Sequence, residues 1–211
     1  MTSIVLAGGE GTRLGKNKLL QVVGGRPLLQ RVIDSLDPIA DSILVVSGQG
    51  QPSPPVEALH ARVSFASDIY PRKGALGGIY TGLSVSETIH SLVVAADMPF
   101  LNPALLSFLM DAAAGFDVVM PRLQGLIHPL HAVYSRACLP AIREKLERGQ
   151  LQIRTILPLV RVRYVEEAEI DGLDPGYLSF FNINTPDDLD EAARIARALA
   201  GTLVDSEGPA G

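Results

Sequence analysis

The chain has 211 residues, 47% of them hydrophobic and 19% charged, with 20 glycines and 15 prolines. Low charge and many turn-formers exclude a coiled coil and a highly charged disordered chain, and a net charge of −5 gives no general attraction to nucleic acid. A single cysteine, Cys138, excludes an internal disulfide framework or a multi-cysteine zinc site and reads as a small buried hydrophobe. The start Met-Thr-Ser enters a strand-like run at once and lacks the basic, longer apolar pattern of a signal peptide. No apolar run nears the ~20 residues of a membrane span, so a cytoplasmic protein that binds no membrane is expected.

Short β-branched runs alternate with longer helical patterns. Ile4–Ala7 predicts a buried strand followed by a glycine-rich loop. Pro27 opens a helix whose Leu28, Leu29, Val32, Ile33 and Leu36 have helical spacing. Ile43–Val46 is the next strand, Gln49–Pro55 a loop, Val56–Ala61 a short helix, and Val63–Ala66 a strand. Gly74–Gly78 opens a helix through Ser86, and Ser91–Ala96 is the most apolar strand, ending at Asp97. Asn102 caps a helix with Pro103 first, running to about Ala114.

Strands then follow at Asp117–Met120 and His131–Tyr134, helices at Ser135–Arg148 and Leu151–Leu157, and strands at Val160–Val165 and Phe180–Ile183. Thr185-Pro186-Asp187-Asp188 is an acidic variant of the capping box and starts a last helix to about Leu199. Continuous apolar strands alternating with helices predict an α/β fold, a three-layer αβα sandwich around a mostly parallel sheet. An antiparallel strand or side hairpin is expected in the second half. Residues 1–200 read as one domain and 201–211 as a flexible tail.

Ligands of open α/β sheets bind beyond the carboxyl ends of the strands. The loop after the first strand, Leu6-Ala7-Gly8-Gly9-Glu10-Gly11-Thr12-Arg13-Leu14-Gly15-Lys16-Asn17-Lys18, combines four glycines with three cations within six residues. Its backbone N–H groups and cations suit phosphate. The P-loop and dinucleotide-fingerprint spacings both fail here. Asp97, at the end of an apolar strand, is a hard oxygen ligand suited to Mg²⁺ with phosphate oxygens. Asp68 with Gly74–Gly78 could hold a base or ribose. Asn182 and Asn184 fall on one face of the expected strand at period-two spacing. His128 and His131 are too isolated for zinc and suit a loop or substrate edge, and Arg154 stands out among arginines that read as solvated helix faces.

These motifs resemble those of the molybdenum cofactor guanylyltransferase family. Leu6-Ala7-Gly8-Gly9 through Arg13, Gly15 and Lys18 is similar to the signature loop of nucleotidyltransferases. Ala96-Asp97-Met98-Pro99-Phe100-Leu101, His128-Pro129-Leu130 and Phe181-Asn182-Ile183-Asn184-Thr185-Pro186-Asp187-Asp188-Leu189 follow in that family's order, over Ile4 to about Ala192. The chain departs from the family pattern at Asn17, at Ala75, and at Leu151 and Gln152.

The resemblance implies a Rossmann-like nucleotidyltransferase fold of the glycosyltransferase-A-like type. It implies transfer of GMP from GTP to the terminal phosphate of the molybdenum-pterin cofactor, with Mg²⁺ as cofactor. Arg13, Lys18 and Asp97 would be catalytic, with Asp97 holding the metal. Leu6, Ala7, Gly8, Gly9, Lys18, Gln49, Asp68, Gly77 and Asp97 would bind the nucleotide, and Asn182, Asn184, Arg154 and His128 the acceptor. The expected partners are GTP, the molybdenum-pterin acceptor and a protein that delivers it, for a chain acting as a monomer. A cytidylyltransferase or sugar-phosphate nucleotidyltransferase on the same fold is the alternative, with a non-catalytic nucleotide-binding module as a third reading.

Overall fold

The computed structural model of the chain describes residues 1–8, 18–50, 55–58 and 60–206, with side chains described to residue 200. In chain order it comprises β1 (Thr2–Leu6), a 3₁₀ turn at Lys18–Leu20, the hairpin β2 (Val22–Val23) and β3 (Arg26–Pro27), α1 (Leu28–Leu36), β4 (Ser42–Ser47) and β5 (Arg62–Ser67). There follow α2 (Gly74–Val85), β6 (His90–Ala95), α3 (Pro103–Asp111), β7 (Val118–Leu123), β8 (Leu126–Ile127), β9 (His131–Ser135), α4 (Leu139–Glu147), β10 (Val162–Glu166), α5 (Glu167–Ile170) and α6 (Pro186–Ser206).

The main sheet runs β10-β7-β9-β6-β1-β4-β5, with β8 paired to β7. β1 pairs in parallel with β4 and β6, and β4 in parallel with β5. β9 is antiparallel to both β6 and β7, which is the irregular strand expected in the second half. The chain winds outward from β1 through β4 to β5, then returns to the other side of β1 as β6. That reversal places a crevice at the carboxyl ends of β1 and β6, where doubly wound sheets bind ligands.

Alternation along the strands divides the core. On β1, Ile4 and Leu6 face a layer with Leu76, Ile79 and Leu83 of α2 and Ile142 and Leu146 of α4. Val5 faces the opposite layer, with Leu29, Val32, Ile33 and Leu36 of α1 and Leu105, Leu106 and Leu109 of α3. Both faces are therefore covered, as the continuous apolar runs require. A third cluster unites Val23, Leu28, Phe100, Ile183, Ala192 and Ala196, and docks α6 on the hairpin.

Helix α2 carries glycines in its interior, each costing about 1 kcal/mol of helix propensity relative to alanine. Packing explains them: a Cβ on Gly82 would stand 2.5 Å from Ile4 Cγ2, and one on Gly78 3.2 Å from Leu6 Cδ2. The helix backbone thus lies directly on β1. Among the described residues no helix is long and apolar enough to cross a membrane.

Several expected elements differ. Pro55–Ala58 are irregular and His60 and Ala61 form a bend, so the helix expected over Val56–Ala61 does not form there. The backbone groups are held from α1 and its end: Glu57 N donates to Gln30 Oε1 at 3.0 Å, Gln30 Nε2 donates to the Glu57 carbonyl at 2.7 Å, and His60 and Ala61 N donate to Asp37 Oδ1. Leu151–Leu157 is not one helix but 3₁₀ turns at Ile153–Thr155 and Leu157–Leu159. Pro158 has no N–H to continue an α-helical ladder. Phe180–Ile183 is no strand: Leu178–Phe180 is a 3₁₀ turn, and Ile183 N donates to the Asp97 carbonyl at 3.0 Å. The last helix continues past Leu199 to Ser206.

Candidate active site

The crevice is built from loops after parallel strands. Gly8 follows β1, and a Cβ there would meet Gly48 N at 3.3 Å and the Ser47 carbonyl carbon at 3.7 Å. Glycine lets the end of β1 lie against the end of β4, beside the exposed Gln49 in the turn that follows. The Leu6 carbonyl accepts from Ala96 N at 3.1 Å, and Ala7 N donates to the Val46 carbonyl at 2.8 Å. Those two backbone groups tie the end of β1 to β6 and β4. Gly9 and Arg13, with the rest of 9–17, lie outside the described residues.

Lys18 returns to the crevice at the start of its 3₁₀ turn. Its Nζ donates to Asp97 Oδ2 at 2.7 Å, an ion pair whose two side chains are 18% and 25% exposed. Lys18 Nζ also lies 3.4 Å from Asn184 Oδ1. Asp97 stands just past β6, tied to β1 through Ala96 and to the segment before α6 through Ile183.

The start of α6 completes this end. Asp188 Oδ2 accepts from Asn184 N and Thr185 N, each at 2.8 Å, while Thr185 Oγ1 accepts from Asp188 N at 3.2 Å. This is the capping box expected from the sequence, extended by one bond to Asn184. Bonds from the Asn184 and Thr185 amides hold the Asp188 carboxyl below its usual range, with Lys18 contributing a smaller favourable charge. One ammonium therefore meets Asp97, the amide oxygen of Asn184 and the field of Asp188. Asn182 is exposed nearby in sequence, but off the strand expected for it.

Asp68 sits just past β5 on the far side of β4. Its Oδ1 accepts from Thr81 Oγ1 at 2.8 Å and from Tyr70 N at 2.9 Å, and Asp68 N donates to the Ser47 carbonyl at 2.8 Å. Gly77 lies beneath: a Cβ there would be 2.9 Å from the Tyr70 carbonyl oxygen and 3.3 Å from Asp68 Oδ2. The turn between Asp68 and Gly77 thus rests on helix backbone. Thr81 was missed by sequence reasoning; only its place one helical turn after Gly77 hints at its bond to Asp68.

His128 is half-buried at the β9 side of the same sheet edge. Arg154 is exposed in the 3₁₀ turn after α4, where its Nε donates to Gln152 Oε1 at 2.8 Å. No contact among the described residues links Arg154 to the Lys18–Asp97 pair. Cys138 is buried, its Sγ donates to the Asp117 carbonyl at 3.3 Å, and burial pushes its thiol up to about 12, so it is no nucleophile.

Among the described residues no cluster of three or more His, Cys, Asp or Glu could cage a metal. Asp97 presents its carboxylate beside Lys18, just past the end of β6. That suits an ion such as Mg²⁺, which takes one or two carboxylates and completes its shell with substrate phosphates and water.

Residues 3–164 match the family described as MobA-like NTP transferase domain. A probable molybdenum cofactor guanylyltransferase of Pelotomaculum thermopropionicum is 35% identical over 195 residues, covering 92% of this chain and 93% of that relative. A molybdenum cofactor guanylyltransferase of Desulfosudis oleivorans is 33% identical over 94% of this chain and 96% of its own length. The crystal structure of molybdopterin-guanine dinucleotide biosynthesis protein A from Archaeoglobus fulgidus is similar with a TM-score of 0.78 and 27% identity, covering 94% of this chain and all of that one.

Proposed function

The chain belongs to the MobA-like NTP transferase family, and from that premise we propose that it transfers GMP from GTP to the terminal phosphate of the molybdenum-pterin cofactor. The observation that carries the reading is the Lys18–Asp97 pair, held 2.7 Å apart where the sheet order reverses between β1 and β6. An acceptor phosphate oxygen bonds to the α-phosphorus of GTP, the bond from that phosphorus to the bridging oxygen breaks, and pyrophosphate leaves. The attacking oxygen is already ionised, so no general base is required. Catalysis then rests on positioning and on charge neutralisation.

In this reading Gly8 and Gln49 line the nucleotide's path at the ends of β1 and β4, and Gly9 is assigned to the nucleotide from the sequence. Asp68, braced by Thr81 and Gly77, receives the guanosine part. Leu6 and Ala7 are assigned to the nucleotide through their backbone, while the Leu6 carbonyl and Ala7 amide also bond within the sheet. Lys18 and Arg13 balance charge on the phosphates, including the departing pyrophosphate. Asp97 would hold Mg²⁺, which when bound would supply neutralisation of phosphate charge. Lys18 then exchanges its carboxylate partner for a phosphate. Asn182, Asn184, His128 and Arg154 are assigned to the acceptor.

The test is a nucleotide panel. GTP, CTP and ATP are each incubated with Mg²⁺ and the molybdenum-pterin acceptor, and pyrophosphate and the dinucleotide product are both quantified. Transfer with GTP at least ten times faster than with the others supports the reading; preference for CTP would assign the chain to cytidylyl transfer instead.

A further inference from the structure

Beyond Asp97, on the β9 side of the sheet edge, three aromatic rings meet. The Phe180 ring centroid lies 4.6 Å from that of His131, tilted by 35°, and 4.6 Å from that of His128, at 61°. Phe180 and His128 remain partly exposed, whereas His131 is fully buried. Neither ring nitrogen of His131 has a hydrogen-bond partner among the described residues. Leaving such a group unpaired costs about 1–3 kcal/mol, so stability alone does not account for histidine there.

The position of these rings relative to the phosphate centre is fixed. His131 lies opposite Val94 in the β6–β9 pairing, and Ala95 N donates to the Leu130 carbonyl at 3.2 Å, two residues before Asp97. From the other side, Ile183 N holds the Asp97 carbonyl, and three residues of chain span at most about 10 Å back to Phe180. Gly8 and Asp68 approach the Lys18–Asp97 pair from β1 and β5. The rings approach it from β9, the opposite direction along the sheet edge.

The cluster is rigid and uncharged. Ser179, next to Phe180, is buried; its Oγ accepts from Asn102 N at 2.8 Å and its N donates to Asp174 Oδ2 at 3.0 Å. The His128 turn is pinned by His128 N donating to the Pro121 carbonyl and Tyr134 Oη to the Pro129 carbonyl. Burial lowers the pKa of both imidazoles, so the rings carry no cation that would draw a phosphate. A fixed neutral aromatic wall beside the Lys18 ammonium and the Asp97 carboxylate suits a ligand with a flat ring at one end and a phosphate at the other.

We infer that Phe180, flanked by His128 and backed by His131, forms the wall on which the flat heteroaromatic ring of the acceptor stacks while its phosphate reaches Lys18 and Asp97. This rests on the proposed transfer to a pterin-bearing acceptor. Phe180 contacts the substrate; His131 is a positioning residue that sets the angle of Phe180.

The test compares wild type with Phe180→Leu, which keeps apolar bulk but loses the ring, and with Phe180→Tyr, which keeps it. In Phe180→Leu the KM for the molybdenum-pterin acceptor rises about ten-fold, while the Kd for GTP stays within two-fold. In Phe180→Tyr both stay near wild type. An unchanged acceptor KM in Phe180→Leu, or equal weakening of GTP, overturns the wall while leaving the transfer reading intact. Titration of free pterin, followed by its fluorescence, judges the wall independently of turnover. Quenching by wild type and its loss in Phe180→Leu support the wall even if no transfer occurs, and equal responses of the two proteins overturn it.

Discussion

Replacing Gly77 by alanine separates the role of α2 in stability from its role in holding Asp68, the residue proposed to receive the guanosine part. The new Cβ would stand 2.9 Å from the Tyr70 carbonyl oxygen and 3.1 Å from Lys73 Cβ, so the turn from Asp68 to Lys73 must move by about half an ångström to restore ordinary contact. Alanine returns about 1 kcal/mol of helix propensity, and the forced displacement costs about 1–3 kcal/mol, leaving a net loss of about 1 kcal/mol. Asp68 rides on the moving turn, and its Oδ2 is only 3.3 Å from the added carbon. A displaced contact of this kind weakens GTP about ten-fold, equivalent to ~1.4 kcal/mol.

Gly82→Ala provides the contrast. Its Cβ would clash at 2.5 Å with Ile4, which is fully buried under α2. It lowers stability by about 1–2 kcal/mol, or roughly 2–8 °C in Tm for a chain of this size, without moving the turn. Thermal unfolding and equilibrium titration with a fluorescent GTP analogue read both quantities. A Gly77→Ala protein that binds within two-fold of wild type, or a Gly82→Ala protein that weakens GTP equally, refutes the argument that Gly77 sets the position of Asp68.

Asp97→Asn keeps the size of the side chain and removes its charge; transfer falls below about a tenth of the wild-type rate, and retention of more removes Asp97 from the reaction centre. Lys18→Met changes stability by no more than about 1 kcal/mol, because the ion pair is partly solvated, yet it raises the affinity of the nucleotide-free protein for Mn²⁺ by releasing Asp97. Paramagnetic titration checks this, and unchanged affinity would show that Lys18 does not compete for the carboxylate. Burial, helped by His128, lowers the His131 pKa from 6.5 to about 3, so the unfolded chain binds a proton in that interval and the folded chain does not. Stability from this group is complete above about pH 6.5 and falls with decreasing pH, by about 2 kcal/mol at pH 5. Denaturant unfolding at pH 7 and pH 5 should show this loss in wild type and not in His131→Phe; equal losses would discard the assignment.

The parallel half of the sheet was legible because β1, β4 and β6 are continuous apolar runs, a pattern that only burial on both faces explains. Asp97 could be placed at a ligand edge for the same reason, since a carboxylate ending such a run emerges at the crevice. Lys18 was legible as one of a group of cations; its partner, 79 residues away, was reached only through the order of the folded strands. Asn184 was found for an incomplete reason. Period two suggested a strand, but the capping box of α6 is what brings the side chain to Lys18.

Elements governed by distant side chains were not legible. The apolar residues of Val56–Ala61 suggested a helix, yet Gln30 and Asp37 supply the bonds that hold part of that segment. Phe180–Ile183 looked like a strand because three of its four residues are apolar, but Ile183 belongs to the cluster beneath α6 and Phe180 to the aromatic group at β9. Local periodicity carries no record of either contact.

The central claim is one transfer event across the Lys18–Asp97 centre, with nucleotide on the β1 side and acceptor on the β9 side. It is tested most directly by supplying GTP labelled at the α-phosphate, with Mg²⁺ and the molybdenum-pterin acceptor, and measuring where the label goes. The account predicts one labelled phosphate in the acceptor dinucleotide for each pyrophosphate released. Label recovered only as GTP or free GMP, with no labelled dinucleotide, would contradict it.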